Sequence, residues 1–289
     1  MKILKNHIES FKVRSTSPKD VFLSSLLKEY WFATQDVLLR SIEANIWEKC
    51  IFEHPVLDIG IGDGGISRFL YSDKRKIDIG IDLNEAGLEK ARETGMYDKV
   101  IAASAEHMPF KDASFNTVIS NSTFEHIIHD TKAVVEVGRV LKKGGYFFLT
   151  VPSAFLPKFI VLLEGGKANP KAKKTLTAFN KRLSHFHYRT LSAWKSILAK
   201  NKLNIVFSAY YYPLSTTVVW YRLFKFSTTK IAGKELWSYL GHSKMRKIIP
   251  EKLVIFLLKN YILASAYKKG YFTHGEVGSM LFFVAQKVS

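Results

Sequence analysis

Val56-Leu57-Asp58-Ile59-Gly60-Ile61-Gly62-Asp63-Gly64-Gly65 is the stretch on which the fold turns. A short apolar run (Val56, Leu57, Ile59) ends in a glycine cluster, and apolar positions at helical spacing follow (Ile66, Phe69, Leu70). That order is the signature of a buried strand turning sharply into a helix. Glycines at 60, 62 and 64 allow positive φ and keep Cβ atoms away from anything lying against the backbone. The N–H groups at the helix start then face that ligand, which points to a nucleotide-like molecule across the turn. Gly60, Gly62 and Gly65 also satisfy G-x-G-x-x-G, a dinucleotide spacing that is weak by itself. Asp58 and Asp63 oppose a pyrophosphate there by charge repulsion, and Asp58 suits a cationic group better.

A second strand is expected over 76–81, where Lys76-Ile77-Asp78-Ile79-Gly80-Ile81 alternates and ends in Asp82. An acidic residue about twenty positions past the first glycine is placed to accept from ribose hydroxyls. Asn84 is expected to cap the helix that follows. Further strands are expected at 55–59, 99–103, 115–120, 145–151 and 203–211, and a last one at 279–286, with helices after 65, 84 and 131. Thr190 is expected to cap a helix reaching about Asn201. This alternation implies an α/β fold, a doubly wound sheet with helices on both faces.

Asp58-x-Gly60-x-Gly62-x-Gly64 followed by Asp82 resembles the cofactor site of class I S-adenosylmethionine-dependent methyltransferases, in their small-molecule, methyltransferase type 11-like branch. The resemblance runs on through Ala105-Glu106-His107-Met108-Pro109-Phe110, Ser114 to Ile119, Phe124-Glu125-His126-Ile127, Glu136 to Gly145 and Val151-Pro152. It covers about residues 50–152. It implies a Rossmann-like sheet of seven strands, the last antiparallel and inserted between the fifth and sixth. It also implies that Asp58 and the backbone at Gly60, within the Gly60/Gly62/Gly64 turn, hold the amino-acid end of S-adenosylmethionine. Asp82 would take both ribose hydroxyls and Leu83 would pack on the adenine. Ser104, Ala105 and Glu106 would line the adenine edge, and Asn121 would lie beside the sulfonium. Ser104 stands where the family usually has an acid, and Asn116 replaces the usual Asp after Phe115.

Composition frames this core. The chain has 289 residues, 47% hydrophobic and 13% aromatic, enough for a packed domain. Cys50 is the one cysteine, so internal disulfides and thiolate metal clusters are excluded; a buried thiol in a cytoplasmic protein is expected. No run reaches the roughly 18 apolar residues of a spanning helix. Residues 1–50 are read as a basic arm and helical lid, and 51–289 as the methyltransferase domain. Insertions at 153–188 and 214–277 are read as a cap on the acceptor side.

The second insertion is the unusual part. Between 214 and 270, eleven Lys or Arg face only Glu235 and Glu251, a net +9 that is half of the formal +18. Trp220, Tyr221, Phe224, Phe226, Trp237, Tyr239, Phe256, Tyr261 and Tyr267 are interleaved. Three readings stay open: peripheral contact with an anionic membrane, RNA binding, or a helical cap with its aromatics inside and its lysines solvated.

Methyl transfer from a sulfonium needs alignment above all, and a base only where the acceptor atom carries a proton. His126 after the fourth strand, and His187 in His185-Phe186-His187-Tyr188, are the candidate catalytic groups. His129 and Asp130 read as helix capping. No metal-ligand set stands out in the sequence, so no metal is expected, and no protein partner either. The expected activity is methylation of a small-molecule, lipid-like or lipid- or glycan-linked acceptor. The alternatives are RNA methylation, a non-catalytic S-adenosylmethionine-binding protein, and a nicotinamide oxidoreductase, which Asp58 and the 106–110 motif oppose.

Overall fold

The computed structural model describes residues 18–71, 76–242, 249–271 and 276–288. The basic arm at 1–17 and the cations Lys244, Arg246 and Lys247 lie outside the described residues. The chain divides into two compact units.

The larger unit comprises Ile51–Arg68, Ser72–Tyr211 and His274–Ser289. Its strands are β1 (Val56–Ile59), β2 (Ile77–Asp82), β3 (Tyr97–Ala102), β4 (Phe115–Asn121), β5 (Leu141–Pro152), β6 (Leu203–Tyr211) and β7 (Met280–Lys287). They form one sheet in the order β3-β2-β1-β4-β5-β7-β6. β1 pairs in parallel with β2 and β4, and all four of its residues, Asp58 among them, are buried, as expected of a strand covered on both faces. β7 runs antiparallel to both neighbours, with Leu149 opposite Phe283 and Tyr210 opposite Leu281.

The two-residue period of the strands decides the core. Phe147, Leu149 and Val151 of β5 and Leu281, Phe283 and Ala285 of β7 share one face with Leu57, Ile59, Phe115 and Val118. The helix Asp130–Val140 lays Ala133, Val134, Val137 and Val140 on that face, and the helix Leu191–Ala199 lays Trp194 and Leu198 there. Thr190 caps the latter as expected, its hydroxyl accepting from Ala193 N–H at 3.1 Å.

Two expected caps are absent. Asn84 makes no side-chain cap bond; its own N–H donates to Asp82 Oδ1. His129 makes none either, and the Asp130 carboxylate is held by the Arg189 guanidinium through two 2.6 Å bonds. Asn116 shows why an amide serves where the family has an acid: its Nδ2 donates to the His54 carbonyl, which a carboxylate could not do.

Arg139 fixes the loop between β3 and β4. It donates to the carbonyls of Met108 and Phe110 and to Glu136, whose other contact is the Met108 N–H. These bonds hold Glu136 below the usual carboxyl range. The first insertion belongs to this unit and forms the helices Phe155–Leu163 and Pro170–Leu183; Asn169 accepts from Lys171 N–H at the start of the second.

The smaller unit comprises Met1–Cys50, Phe69–Tyr71 and Tyr212–Thr273. Among the described residues, 18–50 therefore do not form a separate arm: the second insertion folds with them. The helix Leu214–Ser227 packs on the helix Thr34–Glu48. Gly270 lies so close to Ile42 that a Cβ would meet its Cδ1 at 2.2 Å. The Tyr267 hydroxyl accepts from Asn45 Nδ2 and donates to the Lys19 carbonyl, both at 2.7 Å. Cys50 is buried, as expected.

Candidate functional site

The sheet reverses its direction of winding between β1 and β4, and ligands of such sheets bind beyond the strand ends at that point. A crevice of about 420 Å³ opens there, a size suited to a nucleoside-bearing ligand. Gly60, Gly62, Asp82, Leu83, Ser104, Ala105, Glu106 and His126 all line it, brought together from four separate segments.

The β1 turn explains its own sequence. Gly60, Gly62 and Gly64 have φ of +82°, +56° and +71°. At Gly60 a Cβ would stand 2.2 Å from the Thr123 side chain, whereas at Gly62 it would meet nothing within 4 Å. Gly62 thus keeps the crevice floor open. Gly64 serves packing instead, with the Ala91 backbone 3.0 Å from where its Cβ would be, and it does not line the crevice.

Asp82 ends β2 at the rim. Its Oδ2 accepts the Gly62 N–H and its Oδ1 the Asn84 N–H, both at 2.8 Å. One lone pair on each oxygen remains for a ligand's hydroxyls. Leu83 beside it is 72% exposed, an apolar surface for a flat ring. Ser104 Oγ accepts the Glu106 N–H at 3.1 Å, so its hydroxyl shapes the turn that presents Ala105 and Glu106.

Two predicted cofactor residues are placed elsewhere. The Asp58 carboxylate is buried and accepts from the Tyr97 hydroxyl at 2.7 Å; it does not line the crevice, because β1 turns this side chain into the sheet's packing. Burial chiefly, with the Asp82 charge adding to it, pushes Asp58 up to about 7 against the bond from Tyr97. The folded chain then keeps a proton that the unfolded chain releases near pH 4. This stabilising contribution is complete below that range and is lost as pH rises through about 7. Asp58→Asn is expected to flatten the pH dependence of the thermal midpoint between pH 4 and 8; an unchanged slope would remove this assignment.

Asn121 also lies off the crevice, its Oδ1 accepting from Thr150 Oγ1 at 2.7 Å across β4 and β5. Ser122 and Thr123 line it in its place. The positive φ of Ser122, +49°, turns the chain after β4 sooner than the strand pattern suggests. Ile127 and Ile128 are further lining residues that the sequence reading missed, and two apolar residues directly after the EH pair were the available signal.

The two histidines differ. His126 is on the crevice wall and its Nδ1 lies 3.2 Å from the Ser184 carbonyl. A carbonyl only accepts, so Nδ1 carries the proton and Nε2 keeps its lone pair. His187 is turned away: its Nε2 donates to the Ile128 carbonyl at 2.9 Å, and it does not line the crevice.

A doubly wound sheet of this strand order, with an acid at the β2 end and a glycine turn after β1, defines a nucleoside-binding α/β protein. Comparisons narrow the class. Residues 57–149 match the family model described as a methyltransferase domain. The uncharacterized methyltransferase YcgJ of Bacillus subtilis is 31% identical over 160 residues, 54% of this chain and 59% of that protein. The sterol 4-C-methyltransferase strm-1 of Caenorhabditis elegans is 35% identical over 118 residues, 38% of this chain and 35% of that protein. A crystal structure from Thermotoga maritima, described as an S-adenosylmethionine-dependent methyltransferase and possible histamine N-methyltransferase, superposes with a TM-score of 0.52. It is 19% identical and covers 92% of this chain and 98% of its own. The chain spans 35% to 63% of the length of the first curated relatives it matches. Residues 57–149 are thus a methyltransferase domain, and the fold is that of the class I S-adenosylmethionine-dependent methyltransferases.

Proposed function

We propose that this protein transfers the methyl group of S-adenosylmethionine to a small, apolar, lipid- or glycan-linked acceptor. The observation that carries the cofactor is Asp82, held by two backbone N–H groups over a crevice whose floor is cleared by Gly62. When bound, the cofactor supplies a methyl carbon already activated by its sulfonium, so the protein's task is alignment and exclusion of water. Asp82 accepts from the ribose hydroxyls, Leu83 covers the adenine, and the Gly60–Gly62 backbone supports the amino-acid end. His126 is the histidine placed to take a proton from an acceptor through Nε2.

The acceptor class is supported by the smaller unit's surface. Its aromatic residues divide: Trp220, Tyr221, Phe224 and Tyr267 are buried, but Phe226, Phe256 and Tyr261 are exposed. The helix Glu251–Leu257 buries none of its residues, and Leu253, Phe256 and Leu257 stand in solvent beside Lys252, while Lys259 is paired with Asp20 at 2.6 Å. An apolar strip flanked by cations suits an anionic membrane surface. No helix among the described residues is long and apolar enough to cross a membrane.

Cell lysate incubated with the protein and methyl-labelled cofactor is expected to yield label in the lipid-extractable pool. Label in RNA would overturn the acceptor class. Cofactor binding without label in any pool would overturn transfer itself and leave a binding protein.

A further inference from the structure

Glu125, His126 and His185 each present one ligand atom, and these atoms lie within 4.8 Å of one another. We infer that they form a site for a divalent first-row transition cation, such as Zn²⁺ or Mn²⁺, on the wall of the crevice. The inference stands on side-chain geometry alone and does not depend on the methyl-transfer reading; with the ion bound, His126 Nε2 is a ligand and no longer the base.

Two segments distant in sequence are locked together to make the cluster. The Phe186 N–H donates to the Glu125 carbonyl at 2.8 Å, and His126 Nδ1–H donates to the Ser184 carbonyl at 3.2 Å. The imidazole rings of His126 and His185 then lie with centroids 5.0 Å apart and planes inclined at 59°.

The surrounding hydrogen bonds set both tautomers for metal binding. The Tyr188 hydroxyl donates to Asn180 Oδ1 at 2.7 Å, so it can only accept from His185 Nδ1, 2.9 Å away. His185 Nδ1 therefore carries the ring proton and Nε2 the lone pair, as the Ser184 carbonyl requires of His126. Imidazole ligands oriented by an acceptor on the other ring nitrogen are the usual outer-shell arrangement of metal sites. Glu125 supplies the anionic ligand from a position 3% exposed, with Oε1 3.9 Å from His126 Nε2. That spacing is too long for a hydrogen bond. Ligands about 2.1 Å from one ion stand roughly 3.0–3.4 Å apart, so small side-chain rotations close the site.

Two histidines and one carboxylate suit zinc, manganese or iron(II), and three protein ligands leave coordination positions open. His126 also lines the crevice, so an open position there can take an oxygen of a crevice ligand. The sequence hides this set because Glu125-His126 and His185 are about sixty residues apart.

Equilibrium dialysis of the full chain against Zn²⁺, with metal analysis, is expected to retain one ion per chain. Co²⁺ in its place should give visible ligand-field absorption. His185→Ala and Glu125→Gln should each weaken binding at least tenfold, and Tyr188→Phe should weaken it about 10- to 100-fold by releasing the His185 ring. His129→Ala, an exposed histidine outside the cluster, should retain the ion. Thermal melting without metal, and binding of S-adenosylhomocysteine, establish that each variant is folded. Absence of retained metal and of Co²⁺ absorption in the wild-type chain would overturn the site. So would retention unchanged by His185→Ala. Because cofactor binding is read separately, failure of the metal site and failure of the methyltransferase reading are distinguishable.

Discussion

Asp82→Ala is expected to weaken S-adenosylhomocysteine binding by about 1.5–3 kcal/mol, or roughly 10- to 150-fold, as measured by calorimetry. The loss has two sources. The carboxylate would no longer accept from the ribose, and charge-assisted bonds of this kind lie at the strong end of the scale. Its bonds to the Gly62 and Asn84 N–H groups would vanish as well, so the β1 turn and the start of the helix Glu85–Glu93 would lose their common anchor. Asp82→Asn separates these contributions, since an amide oxygen can accept one of the two backbone bonds. A variant that binds as tightly as the wild type would remove Asp82 from the cofactor site.

Gly60→Ala is expected to destabilise the larger unit by about 2–4 kcal/mol and to abolish measurable cofactor binding, through two independent costs. A φ of +82° places an L-residue's Cβ against its own backbone, and the added methyl would stand 2.2 Å from Thr123 Cγ2 and Oγ1. Thr123 has little freedom to retreat, because its hydroxyl is engaged by the Asn121 carbonyl at 3.2 Å. The double variant Gly60→Ala/Thr123→Gly, which also removes the Thr123 Cβ at 2.7 Å, is expected to recover the part due to the clash and none due to the backbone. Urea unfolding of the single and double variants checks this. Full recovery would mean that φ at position 60 costs nothing.

The strands were legible because burial on both faces leaves a mostly apolar run at 56–59, broken only by Asp58, and half-burial leaves alternation at 77–82. Asp82 and the glycines were legible because backbone approach to a ligand forbids most other residues. Asp58 is placed by a contact that the sequence does not show. A strand-end carboxylate reads as facing a cation, yet its partner, Tyr97, comes from β3, thirty-nine residues away. Asn121 misled by one position, since the left-handed Ser122 redirects the chain. The cap assigned to Asp130 failed because Arg189 took its carboxylate. The union of residues 18–50 with the described part of 212–271 left no local trace, for it rests on contacts such as Tyr267 with Asn45. The aromatic list at 214–270 could not be sorted by sequence, because buried and exposed rings alternate without a clean period.

The reversed β7 strand also bears on how the molecule is made. β5 and β6 are not paired with each other; β5 pairs with β7 over Tyr146–Pro152 and β6 over Leu203–Tyr211. While the ribosome is still adding those residues, β5 and β6 present bare, hydrophobic edges on either side of a gap, the kind of surface that invites association with other chains. Nascent chains of this protein therefore depend on residues 280–287 to seal the sheet.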